Sequence, residues 1–399
     1  MRDRLKAVPP GVWALGFVSM LMDISSEMIH ALLPIYMVTV LGTSTLAVGV
    51  IEGIAESTAA ITKVFSGALS DWLGKRKGLA VLGYGLAAFT KPIFPLASGL
   101  SWLIAARFID RIGKGIRGAP RDALVADIAP PEARGASFGL RQSLDTIGAF
   151  LGPLIAMVLM MATANSFATV FWIAVIPAFL SLLLIIMAVH EPARVAGRRV
   201  VKSPLSPSEL ARLGKDYWLV VIIASVFTLA RFSEAFLILR AQSVSLPIAL
   251  VPAVMVLMNM VYAGAAYPAG VLSDRVSRHT ILIAGLVLLI VADIVLAMAT
   301  GIIGVAIGVM LWGLHMGLTQ GLLATLVADT APAELRGTAY GMFNLMTGFA
   351  LLAASIIAGA LWDAIGPRGT FLAGALFTAL AVAGLLVVLR GQKPVAGNG

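Results

Sequence analysis

Leu124-Val-Ala-Asp127-Ile-Ala-Pro130-Pro-Glu132-Ala-Arg134-Gly135 returns 202 residues later as Leu326-Val-Ala-Asp329-Thr-Ala-Pro332-Ala-Glu334-Leu-Arg336-Gly337. A second pair, Gly67-Ala-Leu-Ser-Asp71 and Gly270-Val-Leu-Ser-Asp274, repeats at an offset of 203, and Ser26-Glu27 with Ser233-Glu234 forms a third at 207. The three pairs keep their order along the chain, so the sequence reads as two copies of one plan laid end to end. Parallel repeats of this kind imply a pseudo-two-fold axis along a membrane normal, with a site between the halves near mid-membrane.

What lies between the repeated motifs is apolar. Of 399 residues 59% are hydrophobic and 12% charged, and the mean hydropathy is +0.96. A soluble domain carries ~25% charged residues, so there is too little polar surface here to cover a water-exposed globule. The apolar runs are long and do not alternate, which excludes a β-barrel and leaves α-helices, each needing ~20 residues to span. Twelve runs emerge between breakers: 11–40, 45–71, 77–98, 101–128, 136–162, 167–189, 216–242, 247–272, 280–299, 302–329, 338–363 and 369–390. We number them spans 1 to 12.

The net charge of +9 would suggest nucleic acid in a soluble protein, but here the loops account for it. Connections after odd spans, at Leu41–Ser44, Ser98–Ser101, Thr163–Ser166 and Thr300–Gly301, hold no Lys or Arg. Connections after even spans hold Lys75, Arg76 and Lys77, then Arg134, then Arg194, Arg198, Arg199 and Lys202, then Arg275 and Arg278, then Arg336. The positive-inside rule places both termini and the Pro204- and Pro207-containing central loop in the cytoplasm of a bacterial inner-membrane protein. The expected organisation is an N-terminal bundle 1–189, a linker 190–215 and a C-terminal bundle 216–399. The short basic stretch Met1 to Pro10 reads as no cleavable signal. Without Cys there are no disulfides and no thiolate chemistry.

The motifs carry a resemblance over essentially the whole chain. Gly67-Ala-Leu-Ser-Asp71-Trp-Leu-Gly74-Lys75-Arg76-Lys77 is similar to the loop motif between spans 2 and 3 of the major facilitator superfamily, G-x-x-x-D-x-x-G-R-K/R, with Lys75 where Arg is usual. The second copy has Ser277 in place of the second Gly. Arg107-Phe-Ile-Asp110-Arg111 stands where that family's span-4 motif begins, with Asp110 and Arg111 departing from its Gln-Gly. Gly148-Ala-Phe-Leu-Gly152-Pro153 resembles the span-5 motif of the family's antiporters, although Ala156 and Met157 replace its closing glycines. The resemblance implies an all-α membrane protein of two six-helix bundles, a central cavity lined by spans 1, 4, 7 and 10, and transport by alternating access.

Charges inside spans are the informative residues, since each costs ~2.5–3.5 kcal/mol on the insertion scale. At ~100° per residue, Arg107, Asp110, Arg111, Lys114, Arg117 and Arg121 fall within an arc of roughly 120° on span 4. Span 1 offers Asp23, Glu27 and His30 on one face, span 7 Arg231 and Glu234, span 10 His315 and Gln320. Span 4 has more cations than its own helix can pair, which assigns Arg107, Arg111 and Lys114, with Asp110, His30, Arg231, Glu234, His315 and Gln320, to an anionic substrate. Asp23 and Glu27 are the proton-coupling candidates, because burial and nearby cations act in opposite directions on a carboxyl's proton affinity. Glu52, Glu56 and Lys63 on span 2 read as structural, and span 5 adds Arg141 and Asp145, four residues apart.

A gating role falls to Asp71, Lys75, Arg76, Arg117, Arg121, Asp127, Asp274 and Arg278, together with the packing residues Gly148, Gly152 and Pro153. No nucleotide-binding loop, metal cluster or nucleophile triad is evident, so neither a cofactor nor enzymatic catalysis is expected. The partners expected are the lipid bilayer, protons and a small molecule, with no nucleic acid, and the chain is expected to work as a monomer. The leading reading is proton-coupled export of a small anionic organic compound, such as a carboxylate-bearing metabolite or siderophore. Alternatives are an organic-anion importer by proton symport, a multidrug efflux pump and a non-transporting sensor.

Overall fold

A computed structural model describes residues 8–73, 75–130, 133–191, 210, 212–273, 276–331 and 335–391. Asp274 and the side chains of Asp71, Arg278 and Gln320 lie outside the described residues, as does most of the expected linker. Every regular element among the described residues is helical. Ten helical segments are long and apolar enough to cross a bilayer.

The difference from twelve has two causes. Span 4, Leu100–Ile128, is one unbroken helix whose many charges leave it without a long apolar stretch. Spans 11 and 12 run together as Arg336–Gly391, interrupted at Gly366, whose φ of 78° is a left-handed conformation that favours glycine, with Pro367 next. The remaining spans are Thr45–Leu73 (2), Arg134–Ala162 (5), Phe167–Ala188 (6), Ala253–Ser273 (8), Arg278–Met298 (9) and Ile302–Thr330 (10). Spans 1, 3 and 7 are each divided in two. Their parts are Pro10–His30 and Leu33–Thr39, Arg76–Thr90 and Ile93–Leu96, and Lys215–Ala230 and Ala235–Ser243.

The chain packs as two six-helix bundles. In the first, span 1 lies against spans 5 and 6, and span 4 against 2 and 3. In the second, span 7 lies against 11, span 10 against 8 and 9, and span 9 against 12. The bundles meet along span 2 on span 11 and span 5 on span 8. The first contact is glycine-mediated. A Cβ on Gly49 would come 2.2 Å from the Ser355 carbonyl oxygen and one on Gly348 would come 3.1 Å from Ala60. In lipid, where apolar burial drives little, close backbone approach of this kind holds helices together.

The end of the bundle bearing the Lys/Arg-free connections is closed. There Asp363 of span 11 accepts from the backbone N–H groups of Thr45 (3.0 Å) and Leu46 (2.9 Å), capping the start of span 2. An anion at a helix N-terminus satisfies orphan donors and meets the positive end of the dipole. The outer parts of spans 1 and 7 also touch there. Toward the basic end, Gly139 of span 5 and Gly264 of span 8 face open space, with nothing within 4 Å of an added Cβ, while a Cβ on Gly341 of span 11 would come 3.2 Å from Val64 of span 2.

Candidate functional site

A cavity of about 300 Å³ lies between the bundles, walled by Glu27 and His30 of span 1, Glu56 of span 2 and Arg111 and Lys114 of span 4. Arg231, Phe232, Ser233 and Glu234 of span 7 face them, beside Trp312 of span 10 and Leu351 of span 11. The span-7 residues come from its break, where the helix stops at Ala230 and resumes at Ala235. Irregular backbone inside a membrane survives only where protein or a cavity satisfies it. Here the Ser233 hydroxyl accepts from Ala235 N–H (3.2 Å) and Ser233 N–H donates to the Ser355 hydroxyl (3.3 Å).

The first-bundle wall is an ion-pair network. Glu27 contacts His30 Nδ1 at 3.3 Å, and His30 Nε2 stands 3.5 Å from Glu52. Glu52 accepts from Arg107 Nη2 at 2.6 Å, and Arg107 is also 4.0 Å from Glu56. Glu56 pairs with Arg111 Nη1 at 3.0 Å, and Arg111 Nε lies 3.7 Å from Asp110. Asp110 accepts from Lys91 Nζ at 2.8 Å, and Lys91 also donates to Ser26 at 3.0 Å.

The apparent excess of cations on span 4 is therefore taken up by span 2. Arg107 and Asp110 lie behind the cavity wall, 2% exposed each, rather than on it. Glu52 and Glu56, read from the sequence as structural, are what hold the span-4 arginines. His315, expected at the cavity, is fully buried in the second bundle. Its Nδ1 is 2.8 Å from the Gly285 carbonyl and its ring packs on Phe227, so among the described residues Trp312 is what span 10 brings to the cavity.

Three charged wall residues make no ion pair or side-chain hydrogen bond among the described residues: Lys114, Arg231 and Glu234. Arg231 stands 5.8 Å from the Phe227 ring centroid and Lys114 is exposed. Asp23, below the cavity on span 1, is likewise without a hydrogen bond or ion pair among the described residues. Its electrostatic neighbours are Asp145, Arg117, Lys114 and Arg121. The span-5 glycines press on both candidate proton carriers: a Cβ at Gly148 would come 3.0 Å from Asp23 Cβ, and one at Gly152 2.7 Å from Glu27 Cβ. Pro153, next to Gly152, is buried within span 5.

A second cluster sits toward the basic end. Arg121 contacts Asp122 (3.1 Å), Ser19 (2.9 Å) and Asp145 (3.8 Å), while Arg141 holds Asp145 (2.8 Å) and Asp122 (3.3 Å). Arg117 lies over the Tyr84 ring at 5.0 Å. Arg76 pairs with Asp127, donates to Ala123 O at 2.9 Å, and its N–H meets Glu191 at 2.5 Å. Lys75 is exposed at the start of span 3. All of these pairs lie within the first bundle, tying spans 1, 3, 4 and 5 and the end of span 6.

Sequence reasoning passed over Lys91 and Asp363. Each is a single charge in an apolar run, and that was the available signal.

The comparisons agree with this architecture. The sequence model of the Major Facilitator Superfamily matches residues 15–350 and 235–398. An uncharacterised MFS-type transporter of Methanocaldococcus jannaschii is 34% identical over 94% of this chain and 94% of its own. The inner membrane transport protein YajR of Escherichia coli is 25% identical over 92% of this chain and 81% of its own. Among solved structures, a mutant of the nucleoside transporter NupG superposes with a TM-score of 0.80 at 14% identity, over 94% of this chain and 99% of that one.

Proposed function

The chain belongs to the Major Facilitator Superfamily, a family of transporters rather than enzymes, and from that membership we propose that it couples proton movement to export of a small organic compound bearing an anionic group. The observation that carries the substrate class is the pair of cations, Lys114 on the first bundle and Arg231 on the second, that face the cavity without an ion pair among the described residues. Arg binds carboxylate or phosphate through a fork of donors, and Lys as a point charge. An anion held between them would draw the bundles together, and its release would let them part. Glu234, three residues from Arg231 at the same break, admits a basic group on the same compound.

Asp23 and Glu27 are the proton carriers in this reading. Glu27 sits in the wall on His30, and Asp23 lies one turn below with no ion pair among the described residues. Both sit under the span-5 glycines whose pattern resembles that of antiporters. With the basic loops in the cytoplasm, the end that Asp363 caps faces outward, the side to which an exported substrate would be released. The two bundles, joined by the 190–215 linker, would rock about the cavity. One chain supplies the whole cavity, so the working unit is a monomer.

The test is uptake into inverted membrane vesicles with and without an imposed pH gradient, using carboxylate-bearing metabolites, siderophores and cationic drugs. Gradient-driven accumulation of an anion, lost in Asp23→Asn or Glu27→Gln and weakened in Lys114→Gln or Arg231→Gln, is expected. Accumulation of cations alone would overturn the anion assignment. Accumulation in right-side-out vesicles instead would favour proton-symport import, which the same cation pair would serve.

A further inference from the structure

Asp293 belongs to none of the networks above. It lies on span 9, fully buried, and neither of its carboxyl oxygens has a hydrogen-bond partner among the described residues. No cation pairs with it among the described residues. An isolated carboxylate in such surroundings costs several kcal/mol, and a buried acid without a partner relieves that cost by taking up a proton. The same energetic reasoning makes an unpartnered ionisable residue inside a membrane a functional site by default.

Its surroundings point to a route. A Cβ placed on Gly374 of span 12 would come 2.7 Å from Asp293 Oδ2 and 3.1 Å from the ring edge of Phe232. The carboxyl and the ring therefore meet over the same glycine, the one residue type that leaves them room. Phe232 packs at 5.5 Å between centroids on both Trp312 and Phe371. Phe232 also lines the central cavity from the break in span 7. Phe232, mounted on the non-helical break in span 7, thus borders both the cavity and the glycine against which the buried acid lies.

The groups that face this pocket from each packed element are accounted for. On span 7, Arg231 and Glu234 line the cavity, while Arg240 is bound to the carbonyls of Leu296 and Ala299 and to Ser243. On span 10, His315 is held by Gly285 O, two turns away along span 9. Span 12 presents Gly374, Phe371 and Thr378, whose hydroxyl donates to Gly374 O. None of these hydrogen-bonds to Asp293.

We propose that Asp293 is a second proton-binding site, in the C-terminal bundle, which exchanges its proton with the central cavity when the break in span 7 moves Phe232 aside. Its part in coupling rests on the proton-coupled reading above; its existence as an exchangeable acid does not. The first bundle would then hold Asp23 and Glu27, and the second Asp293 behind the cavity in addition to Glu234 on its wall.

The experiment is infrared difference spectroscopy of the full chain in phosphatidylethanolamine–phosphatidylglycerol vesicles, exchanging H₂O for D₂O. A neutral carboxylic acid free of hydrogen bonds gives a separate carbonyl stretch that shifts on deuteration. That band is expected in the parent protein and in Asp23→Asn and Glu27→Gln, and absent in Asp293→Asn. Phe232→Ala should speed its exchange about tenfold, equivalent to ~1.4 kcal/mol of opening free energy. Phe232→Leu serves the same purpose with less loss of packing. Gly374→Ala should shift the band by pressing on Oδ2.

A band unchanged in Asp293→Asn would overturn the assignment, and exchange unaltered in both Phe232 variants would overturn the route. An exchangeable Asp293 band in a protein whose transport ignores the pH gradient would sink the coupling reading and leave the site standing.

Discussion

The Glu52–Arg107 pair offers a sharp test of whether the span-4 charges hold the bundle together or touch the substrate. The two side chains meet at 2.6 Å, with 2% of Arg107 and none of Glu52 exposed, and Glu52 is also 3.5 Å from His30. Replacing Arg107 by Met leaves a buried carboxylate without its principal partner, a change that costs ~3–5 kcal/mol where it has been measured. For a unit of 150–250 residues each kcal/mol moves Tm by about 2–4 °C, so the single variant should melt roughly 6–20 °C lower. Glu52→Met strands Arg107 in the same way, although Glu56 at 4.0 Å offers partial relief, so its loss should be the smaller one. The double variant Glu52→Met with Arg107→Met removes both charges and should recover most of the loss, because replacing a buried pair by apolar residues is often neutral. The assay is tryptophan-fluorescence melting of detergent-purified protein across this four-member cycle. Additive losses in the double variant, or an Arg107→Met protein as stable as the parent, would refute the pairing and return Arg107 to the candidates for substrate contact.

Three further outcomes follow from the same geometry. Lys91→Met should destabilise by a similar ~3–5 kcal/mol through the stranded Asp110 and be rescued by adding Asp110→Asn, read by the same melting assay. Gly152→Val should cost ~1–3 kcal/mol by overpacking and abolish vesicle transport, since the backbone oxygen of Ile24 at 2.8 Å cannot yield. Gly384→Ala, with nothing within 4 Å of the new methyl, is its neutral control. Asp363→Ala should remove a cap worth ~1 kcal/mol and open the Lys/Arg-free end. Because the sequence holds no Cys, a single thiol placed at Leu46 reports that opening as faster maleimide labelling, and an unchanged rate would count against the cap.

The sequence by itself determined the helices, their number and the two-half plan, because those depend on local quantities. A bilayer demands a long apolar run for each span, and a duplicated plan leaves its motifs at a constant offset. Even the boundary at 364–368 was legible, since Gly366 and Pro367 break a helix through their own backbones. The wall residues Glu27, His30, Arg111, Lys114, Arg231 and Glu234 were legible for a related reason: each is a charge inside a span, conspicuous against its neighbours.

What only the tertiary structure decided is which of those charges are used up. Helical periodicity places Arg107, Arg111 and Lys114 on one face of span 4 but says nothing of the helix opposite. Glu52 and Glu56 reach the two arginines from span 2 and leave Lys114 to the cavity. Lys91 reaches Asp110 from span 3, and His315 turns inward to Gly285. Pairing is a property of distances between helices, and those are set by packing, glycine contacts included. The sequence supplies the charges, and the fold selects which remain free to act.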